Sequence, residues 1–548
     1  MIGVVAKDTD HPVVTEFFQL FKTHWEFWLP ERTYEVLLCC ETVIPDNQAS
    51  LVVAYTSEPA VDFGSVVSNS SDSPTLLVFP TGERLPVYGN CLTFGEGSGS
   101  FAPFDERTKR PVAIELGSES RKTIRVGYDL CGEIRSLLTE GQPLANATSP
   151  SVELHISFLR SLIVRHGSIL VEIPPAPVGY PFIACLTHDV DHIRIRPHKL
   201  DHTMFGFLYR ATLGSFLSFV RGRQSVKVLA TNLRAACSLP FVYLGLAKDF
   251  WDQAANYLAL EKGVTSTFFV IPTKGEPGVS PNGEKKKLRA TRYDVGDIGS
   301  DIRMLLAAGR EVGLHGIDAW RDSKIGRDER KRIQEATGSK EIGVRMHWLF
   351  FGKESPKMIE QAGFAYDSTV GYNERVGYRA GTSQVFGFLE VDHLLELPMH
   401  IMDTALFYPS YMDLTEREAR LAILPLVENA ERFGGVVTVN WHDRSIGPER
   451  LWRSSYKDLL ATLRAKGAWF GTAAETVSWF RKRRSSHIES VICEGGTVRV
   501  KVSVGADSKG LPGLRVRIHN APVQGVRTGV AVFTDFPVEH SEEVLLAA

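Results

Sequence analysis

The chain has 548 residues, of which 43% are hydrophobic, and it carries a formal net charge of −2. This length allows roughly three to four domains, and the balanced charge excludes a global attraction to nucleic acid or to an anionic membrane. Seven cysteines without a CxxC pair exclude a disulfide framework, and no uninterrupted apolar run reaches the ~18 residues of a transmembrane segment.

Residues 1–175 are predicted to form an accessory α/β domain. The N-terminus lacks the basic region and apolar core of a secretory signal, so we expect a cytoplasmic protein. Two helices are predicted, Val14–Trp28 and Leu130–Thr139, together with several short strands. We recognise no cluster of reactive side chains here. The proline-rich segment Ile173–Pro177 predicts the join to the next domain.

Residues 180–484 alternate strand-like and helical segments, a pattern typical of βαβ units. The predicted strands are Phe182–Thr187, Ser266–Ile271, Glu311–His315, Gly343–Trp348, Phe364–Tyr366, Leu394–Met399, Val436–Asn440 and Trp469–Thr472. The predicted helices are Asp249–Lys262, Ile298–Gly309, Pro356–Ala362, Glu416–Phe433 and Tyr456–Lys466. Together they predict a distorted (β/α) barrel of seven or eight strands, with an insertion at about residues 193–245 after the first strand.

Residues 486–548 are predicted to form a small β module. Thr497–Val504 alternates apolar and polar residues strictly, and Gly/Pro turns separate it from the strand-like segments Leu514–Ile518 and Gly529–Phe533. The fold class is therefore α/β, with an N-terminal α/β domain, a central barrel and a C-terminal β module.

Polar side chains follow most of the predicted barrel strands. Asp189 and Asp191 come first, because the strand Phe182–Thr187 leads into His-Asp-Val-Asp-His. Two like charges so close repel unless a cation or a shared proton compensates, which indicates a metal site, an acid/base site or both. The later strands are followed by His315 and Asp318, Arg345 and His347, Asp367, Asp403 and His442. In α/β barrels such residues meet at the carboxyl ends of the strands.

Four segments, taken in order, resemble the polysaccharide deacetylase family (carbohydrate esterase family four). They are Leu-Thr-His-Asp-Val-Asp-His (186–192), Ser-Thr-Phe-Phe-Val (266–270), Glu-Val-Gly-Leu-His-Gly (311–316) and Trp-His-Asp (441–443). The resemblance covers about residues 180–480, and the N-terminal region resembles a domain often found ahead of such a module. It implies a metal-dependent hydrolase that removes N-acetyl groups from a carbohydrate substrate.

The resemblance also implies roles for individual residues. Asp189 is expected to be the general base, tethered by Arg345, and His442 the general acid. The carboxylate partner of His442 is expected to be Asp367, with Asp403 as the rival. Asp191 and His315 are expected to bind a divalent metal.

The chain departs from the family pattern at the remaining metal ligand. The family has a second histidine four residues after the first, and that position is Ala319. Asp318 could replace it if a helical turn begins there, and His347 is the alternative. Zinc is the first choice of metal, and the carboxylate-rich set makes manganese, cobalt or iron alternatives.

Three functions remain open from the sequence. The first is deacetylation of an amino sugar in a polysaccharide, an oligosaccharide or a carrier-linked glycan, with Trp320, Trp348 and Trp441 as platforms for sugar rings or as ordinary core residues. The second is an amidase or deformylase acting on a small non-polymeric C–N bond. The third is a non-catalytic glycan-binding scaffold.

Overall fold

The computed structural model describes residues 1–59, 66–70, 74–95, 101–118, 121–494, 497–505, 510–519, 533–538 and 542–546. The chain divides into two compact units. The first comprises Met1–Gly179, Tyr378–Leu389 and Ser478–Ala548, and the second comprises Tyr180–Gly377 and Glu390–Val477. The division into three domains stays a prediction. The predicted strand Gly529–Phe533 lies outside the described residues except for Phe533.

The first unit is built on a six-stranded sheet. Its strands, from edge to edge, are Ala113–Gly117, Lys122–Val126, Leu51–Tyr55, Val36–Cys39, Ile2–Val5 and Trp25–Phe27. All neighbours are parallel except the first two, which form an antiparallel hairpin. The unit's longer helices are His11–Phe21, Leu130–Thr139 and Ser151–Arg165. The predicted helix Val14–Trp28 ends earlier than expected, because Lys22 takes a left-handed conformation with φ 52°.

Smaller antiparallel sheets complete the first unit. Their strands are Val66–Ser70 with Cys91–Phe94; Arg84–Val87, Thr75–Val78 and Phe104–Asp105; Leu170–Glu172, Leu514–His519 and Phe533–Val538; and His487–Glu494, Thr497–Ser503 and Glu542–Leu546. The strand Phe386–Gly387 also lies in this unit, and the helix Ala473–Ser485 contains the boundary at Ser478. The alternating segment at 497–504 therefore forms the strand that its pattern predicts.

The second unit is a distorted (β/α) barrel, which confirms the predicted fold class. Its parallel strands are Ile183–Val190, Thr267–Val270, Glu311–Gly316, Val344–Met346, Ile401–Met402, Val436–Asn440 and Trp469–Phe470. Ile183–Val190 pairs with Val436–Asn440 on one side and with Thr267–Val270 on the other. Every residue of Ile183–Val190 is buried, as expected for a parallel strand covered on both faces.

The segment from Leu395 to Met402 closes the barrel. Near its start Glu396 pairs with Asp367, which in turn pairs with Val344. At its end Ile401 pairs with Val439 of the strand beside Ile183–Val190. The predicted strand Phe364–Tyr366 is thereby replaced by a single bridging residue, Asp367.

Helices cover the outside of the barrel. They are Ala254–Leu260, Gly299–Ala307, Ser323–Thr337, Ser355–Ala362, Glu416–Phe433 and Arg453–Ala465. The short helix Asp403–Phe407 instead begins at the carboxyl end of the strand Ile401–Met402. Glu416–Phe433 has the predicted bounds, because Thr415 and Glu418 form a capping box at its start. Ser323–Thr337 was not predicted. It is so rich in charged residues that Ile333 is its single buried large apolar residue, and the helical apolar period is absent.

The predicted insertion after the first barrel strand is helical. It contains the helices His202–Tyr209, Ser215–Val220 and Val226–Tyr243, with a π-helical turn at Arg210–Gly214. Within the part of the chain that the structure describes, no helix combines the length and the apolar character needed to cross a membrane.

Candidate active site

The carboxyl ends of the barrel strands bring the sequence-predicted polar residues together. Asp189 lies at the end of Ile183–Val190, where its neighbour across the sheet is Phe269. His315 lies near the end of Glu311–Gly316 and is paired in register with Arg345 of the next strand. Because the strands are parallel, these side chains share one end of the barrel.

Asp189 is held by two hydrogen-bond donors. Arg345 Nη1 donates to its Oδ1 at 3.0 Å, and Asn440 Nδ2 donates to its Oδ2 at 2.8 Å. Arg345 is fully buried and also donates to Thr187 Oγ1 and to the carbonyl oxygen of Ser368. The carboxylate therefore has a fixed orientation, as the sequence expected for Arg345. Asn440 was missed, although it is the last residue of its predicted strand.

Asp191, His315 and His347 form the group that can hold a divalent metal. One ligand atom of each lies within 4.8 Å of the others. Asp191 Oδ1 is 3.4 Å from Nε2 of His315 and 3.4 Å from Nε2 of His347. This buried oxygen has no hydrogen-bond partner among the described residues. A buried carboxylate oxygen without a donor is costly unless a cation faces it.

The two imidazoles present the atoms that a metal needs. His315 Nδ1 donates to the carbonyl oxygen of Arg345 at 3.0 Å, so Nε2 is the ring nitrogen directed at Asp191. Burial holds the pKa of His347 well below its usual range, so its ring is neutral. Burial opposes ionisation of Asp191, but the histidines around it, among them the charged His442, hold its pKa well below the usual range. A neutral imidazole and a carboxylate are the protonation states that bind metal.

His442 faces the same group from the opposite side. Its Nε2 is 3.8 Å from Asp191 Oδ2, and its Nδ1 donates to Asp403 Oδ1 at 2.6 Å. Burial disfavours the charged imidazolium, but the Asp403 carboxylate outweighs burial and raises the pKa of His442 to about 9. A histidine with this pKa carries a proton at neutral pH, and Nε2 is the nitrogen directed into the site.

Asp367, the first choice as partner of His442, lies elsewhere. Its Oδ1 accepts hydrogen bonds from Ser368 N at 2.8 Å and Thr369 Oγ1 at 2.5 Å. Its backbone bridges the barrel between Val344 and Glu396. Asp403, the rival, contacts His442 because the helix Asp403–Phe407 begins directly after the strand Ile401–Met402.

Asp318, the first choice as third metal ligand, is also absent from the group. Its Oδ1 accepts from Val279 N at 2.9 Å, and its Oδ2 contacts Arg321 Nη2 at 3.2 Å. A single turn closed by Arg321 N donating to the carbonyl oxygen of Asp318 at 3.1 Å follows, and the next helix begins only at Ser323. His347 takes the third position instead, because the chain reverses just after Met346 through Trp348, whose φ is 64°.

The group opens into a cavity of about 380 Å³. Trp348, which is 37% exposed, lines it together with Phe350, Tyr408 and Tyr411. Of the three tryptophans that the sequence offered as platforms or as core residues, Trp348 lines the cavity, Trp441 is fully buried and Trp320 does not line the cavity.

Three arginines in the cavity wall were missed. They are Arg289, Arg444 and Arg450. Arg444 directly follows the quoted Trp-His-Asp motif (441–443), so its position gave a usable signal. Arg289 lies in a segment without a recognisable pattern. All three guanidinium groups lie over aromatic rings, Arg444 at 4.6 Å from the ring centre of Trp251.

Comparisons with known proteins add the following. No family model matches the chain, and a search of curated proteins returned no match. Among solved structures, the chain is similar to a "putative polysaccharide deacetylase" from Mycobacterium smegmatis, with 19% identity, 57% of this chain and 95% of that chain covered, and a TM-score of 0.36. A "probable polysaccharide deacetylase" from Pseudomonas aeruginosa PAO1 has 14% identity and a TM-score of 0.32, and the alignment covers 59% of this chain and 97% of that one.

An allantoinase, PuuE, is similar to the same extent. It has 14% identity and a TM-score of 0.34, and the alignment covers 56% of this chain and 92% of that one.

Proposed function

We propose that this chain is a metal-dependent hydrolase that removes an N-acetyl group from an amino sugar. The observation that carries the proposal is the meeting of three chemically distinct groups in one cavity. They are the clamped carboxylate of Asp189, the Asp191–His315–His347 group, and the Asp403–His442 pair. Amide hydrolysis needs a base for water, a polarised carbonyl and an acid for the leaving nitrogen.

The Asp191–His315–His347 group fits a divalent metal. One carboxylate and two imidazoles are a common donor set for catalytic zinc, and the unpartnered Asp191 Oδ1 supplies the charge that a cation would balance. With His347 in place of Asp318, the set is softer than the sequence suggested, which favours zinc over manganese. A divalent cation held there would polarise the amide carbonyl and lower the pKa of a water molecule.

Asp189 is the proposed general base. Arg345 and Asn440 fix both of its oxygens, and Oδ2 lies 3.8 Å from His315 Nε2 at the edge of the metal group. A water molecule between Asp189 and the amide carbon would give its proton to this carboxylate as its oxygen attacks. The fixed orientation removes the need for the carboxylate to reorganise during the reaction.

His442 is the proposed general acid. Its Nε2 carries the proton that the leaving amine nitrogen needs when the C–N bond breaks, because Nδ1 is already bound to Asp403. Asp403 keeps the ring charged before transfer and holds its orientation. The products are acetate and the free amine, and the proton taken up by Asp189 balances the one released by His442.

The cavity wall supports a sugar as substrate. Trp348, Tyr408 and Tyr411 offer ring faces on which a sugar can stack. Arg289, Arg444 and Arg450 line the same wall, and their guanidinium groups offer positive charge to a hydroxyl or an anionic substituent. A small-amide hydrolase would use the same catalytic groups but would have no need of this wall.

A substrate comparison tests the proposal. Purified protein loaded with zinc is incubated with acetylated chito-oligosaccharides and, separately, with small acetamides and formamides. The proposal expects acetate from the oligosaccharides, and none from a matched sample of the Asp189→Asn variant. Turnover of small amides alone would support the amidase, and an inert protein with stoichiometric zinc would support the scaffold.

A further inference from the structure

The helical insertion after the first barrel strand has a small core of its own. One face of its helices is buried, including Phe207, Leu239 and Val242, which pack with Trp251. This face accounts for one apolar stripe on each of the insertion's two arms, the first at residues 202–220 and the second at residues 226–244. The helices therefore need no further apolar surface to pack against the barrel unit.

A second apolar stripe faces outward on the first arm. Phe205, Tyr209, Leu213, Phe216 and Val220 recur every three or four residues, and each is more than half exposed. The exposed fraction of Phe205 is 56% and that of Phe216 is 53%. Recurrence at this spacing places them along one side of the arm.

The second arm repeats the arrangement. Val226, Leu233, Phe241 and Leu244 are exposed along the helix Val226–Tyr243 and its end. Of the 24 large apolar side chains that the described residues expose, twelve lie between residues 200 and 246. An exposed apolar concentration of this kind marks an interaction surface rather than ordinary scatter.

The same segment carries charge of one sign. Between His202 and Lys248 there are six lysines and arginines, all exposed, and no aspartate or glutamate. Arg210 and Arg223 pair with Glu449 and Asp413 outside the segment. The other four, Arg221, Lys227, Arg234 and Lys248, form no ion pair with any described residue.

Exposed aromatic and aliphatic residues, interspersed with basic residues alone, are typical of helices that lie in the interface of a bilayer. The basic residues complement anionic headgroups, and the phenylalanines can enter the acyl boundary. A second copy of the chain fits less well, because two such surfaces would bring like charges together. We propose that this insertion docks the protein on the surface of a membrane containing anionic lipids.

The insertion also adjoins the candidate active site. Trp251, part of the insertion's core, lies beneath the guanidinium of Arg444 at 4.6 Å and 5.9 Å from the ring of His192. Arg444 and His192 both line the cavity. A docked protein would therefore hold the cavity beside the bilayer, where a glycan carried on a lipid is presented.

Vesicle co-sedimentation of the full chain tests the docking. The probes are vesicles of phosphatidylcholine alone and of phosphatidylcholine mixed with phosphatidylglycerol. We expect binding to the mixed vesicles that weakens with salt. The F205S/F216S/F241S variant and the R221E/K227E/R234E variant should each lose about tenfold or more in affinity.

Two matched controls separate docking from damage. L306S/L421S/L424S removes three exposed leucines from other helices, and K340E/K357E/K457E makes the same charge change elsewhere; both should bind like the wild type. Thermal unfolding checks that every variant is folded. The docking proposal is independent of the catalytic one. The F205S/F216S/F241S variant should therefore release acetate from a soluble oligosaccharide at the wild-type rate.

Several results would overturn the proposal. They are no binding to either vesicle, equal binding to both, or equal losses in the control variants. Sedimentation equilibrium tests the alternative that a second copy of the chain binds this surface. A wild-type protein that is a dimer and does not bind vesicles, and whose F205S/F216S/F241S variant is a monomer, would assign the surface to a second copy.

Discussion

Asp403 accepts two hydrogen bonds from the same residue, one from the His442 ring Nδ1 at 2.6 Å and one from the His442 backbone N at 2.8 Å. The carboxylate therefore fixes both the ring and the chain that carries it. Because Asp403 is fully buried, water cannot replace it as the partner of His442. The proposed general acid depends on this pair.

Replacing Asp403 with asparagine should lower kcat by about 10²-fold or more, because the ring loses both its proton and its orientation. Asp367→Asn is the matched control. Burial raises the pKa of Asp367 to about 7, so its protonated form already resembles an amide. Acetate-release kinetics of the two variants provide the measurement. An equal loss of kcat in both would remove the special role of Asp403.

Asp189→Asn should lower kcat by about 10²–10⁴-fold while the metal content stays near that of the wild type. Asparagine can still accept a hydrogen bond from Arg345 but cannot take a proton from water. Activity and bound metal are measured on the same preparation. Turnover at the wild-type rate would remove Asp189 from the mechanism, and loss of metal would make it a ligand rather than a base.

His347→Ala should reduce bound zinc at least as strongly as His315→Ala, because each removes one of three ligands. Asp318→Asn should keep the zinc, since the amide can still accept the hydrogen bond from Val279. Zinc per chain after dialysis, measured by inductively coupled plasma mass spectrometry, separates these outcomes. Zinc loss in Asp318→Asn, with zinc retained in His347→Ala, would restore Asp318 as the third metal ligand, which is the assignment expected from its spacing to His315.

The buried pair Asp367 and Glu396 predicts a pH effect on stability. Burial raises the pKa of both carboxyl groups, that of Asp367 to about 7. Between about pH 4 and pH 7 the folded chain thus binds more protons than the unfolded chain, so the pair's stabilising contribution falls as the pH rises.

The double variant D367N/E396Q removes this titration. Between pH 5 and pH 7 the wild type should lose stability relative to the double variant, because its folded form binds protons that its unfolded form releases. The measurement is the thermal midpoint of each protein at the two pH values. A parallel change in both proteins would show that the pair titrates alike in the folded and unfolded chains.

Much of the site could be predicted because the ends of buried strands can be recognised in the sequence. Each buried strand ends where apolar residues give way to charged ones, and parallel pairing then brings the ends together. This rule holds for Asp189, Asp191, His315 and His442, which line one cavity. It also holds for Arg345, which is buried behind them and donates to Asp189.

The choices between Asp318 and His347, and between Asp367 and Asp403, depended on local backbone turns, which hydrophobic periodicity does not predict. Asp318 was favoured by assuming a helical turn, but the chain there runs into a loop and Asp318 binds Val279. Asp403 contacts His442 only because the barrel closes through a segment with two very short strands. Short strands of two residues leave no alternating pattern to read.

The membrane-facing character of the insertion was missed for a different reason. The net charge of the whole chain is −2, which hides a local run of basic residues without acids. Apolar residues on both sides of a helix also predict a fully buried helix as long as the exposure of their side chains is unknown. Only the structure separates the buried stripe containing Phe207 from the exposed stripe containing Phe205.

The most direct test of the catalytic account is a crystal of zinc-loaded protein measured above and below the zinc absorption edge. The account predicts one anomalous peak about 2.0–2.2 Å from Asp191 Oδ1 and from Nε2 of both His315 and His347. A peak coordinated by Asp318 instead, or no peak near Asp191 in crystals that contain zinc elsewhere, would contradict it.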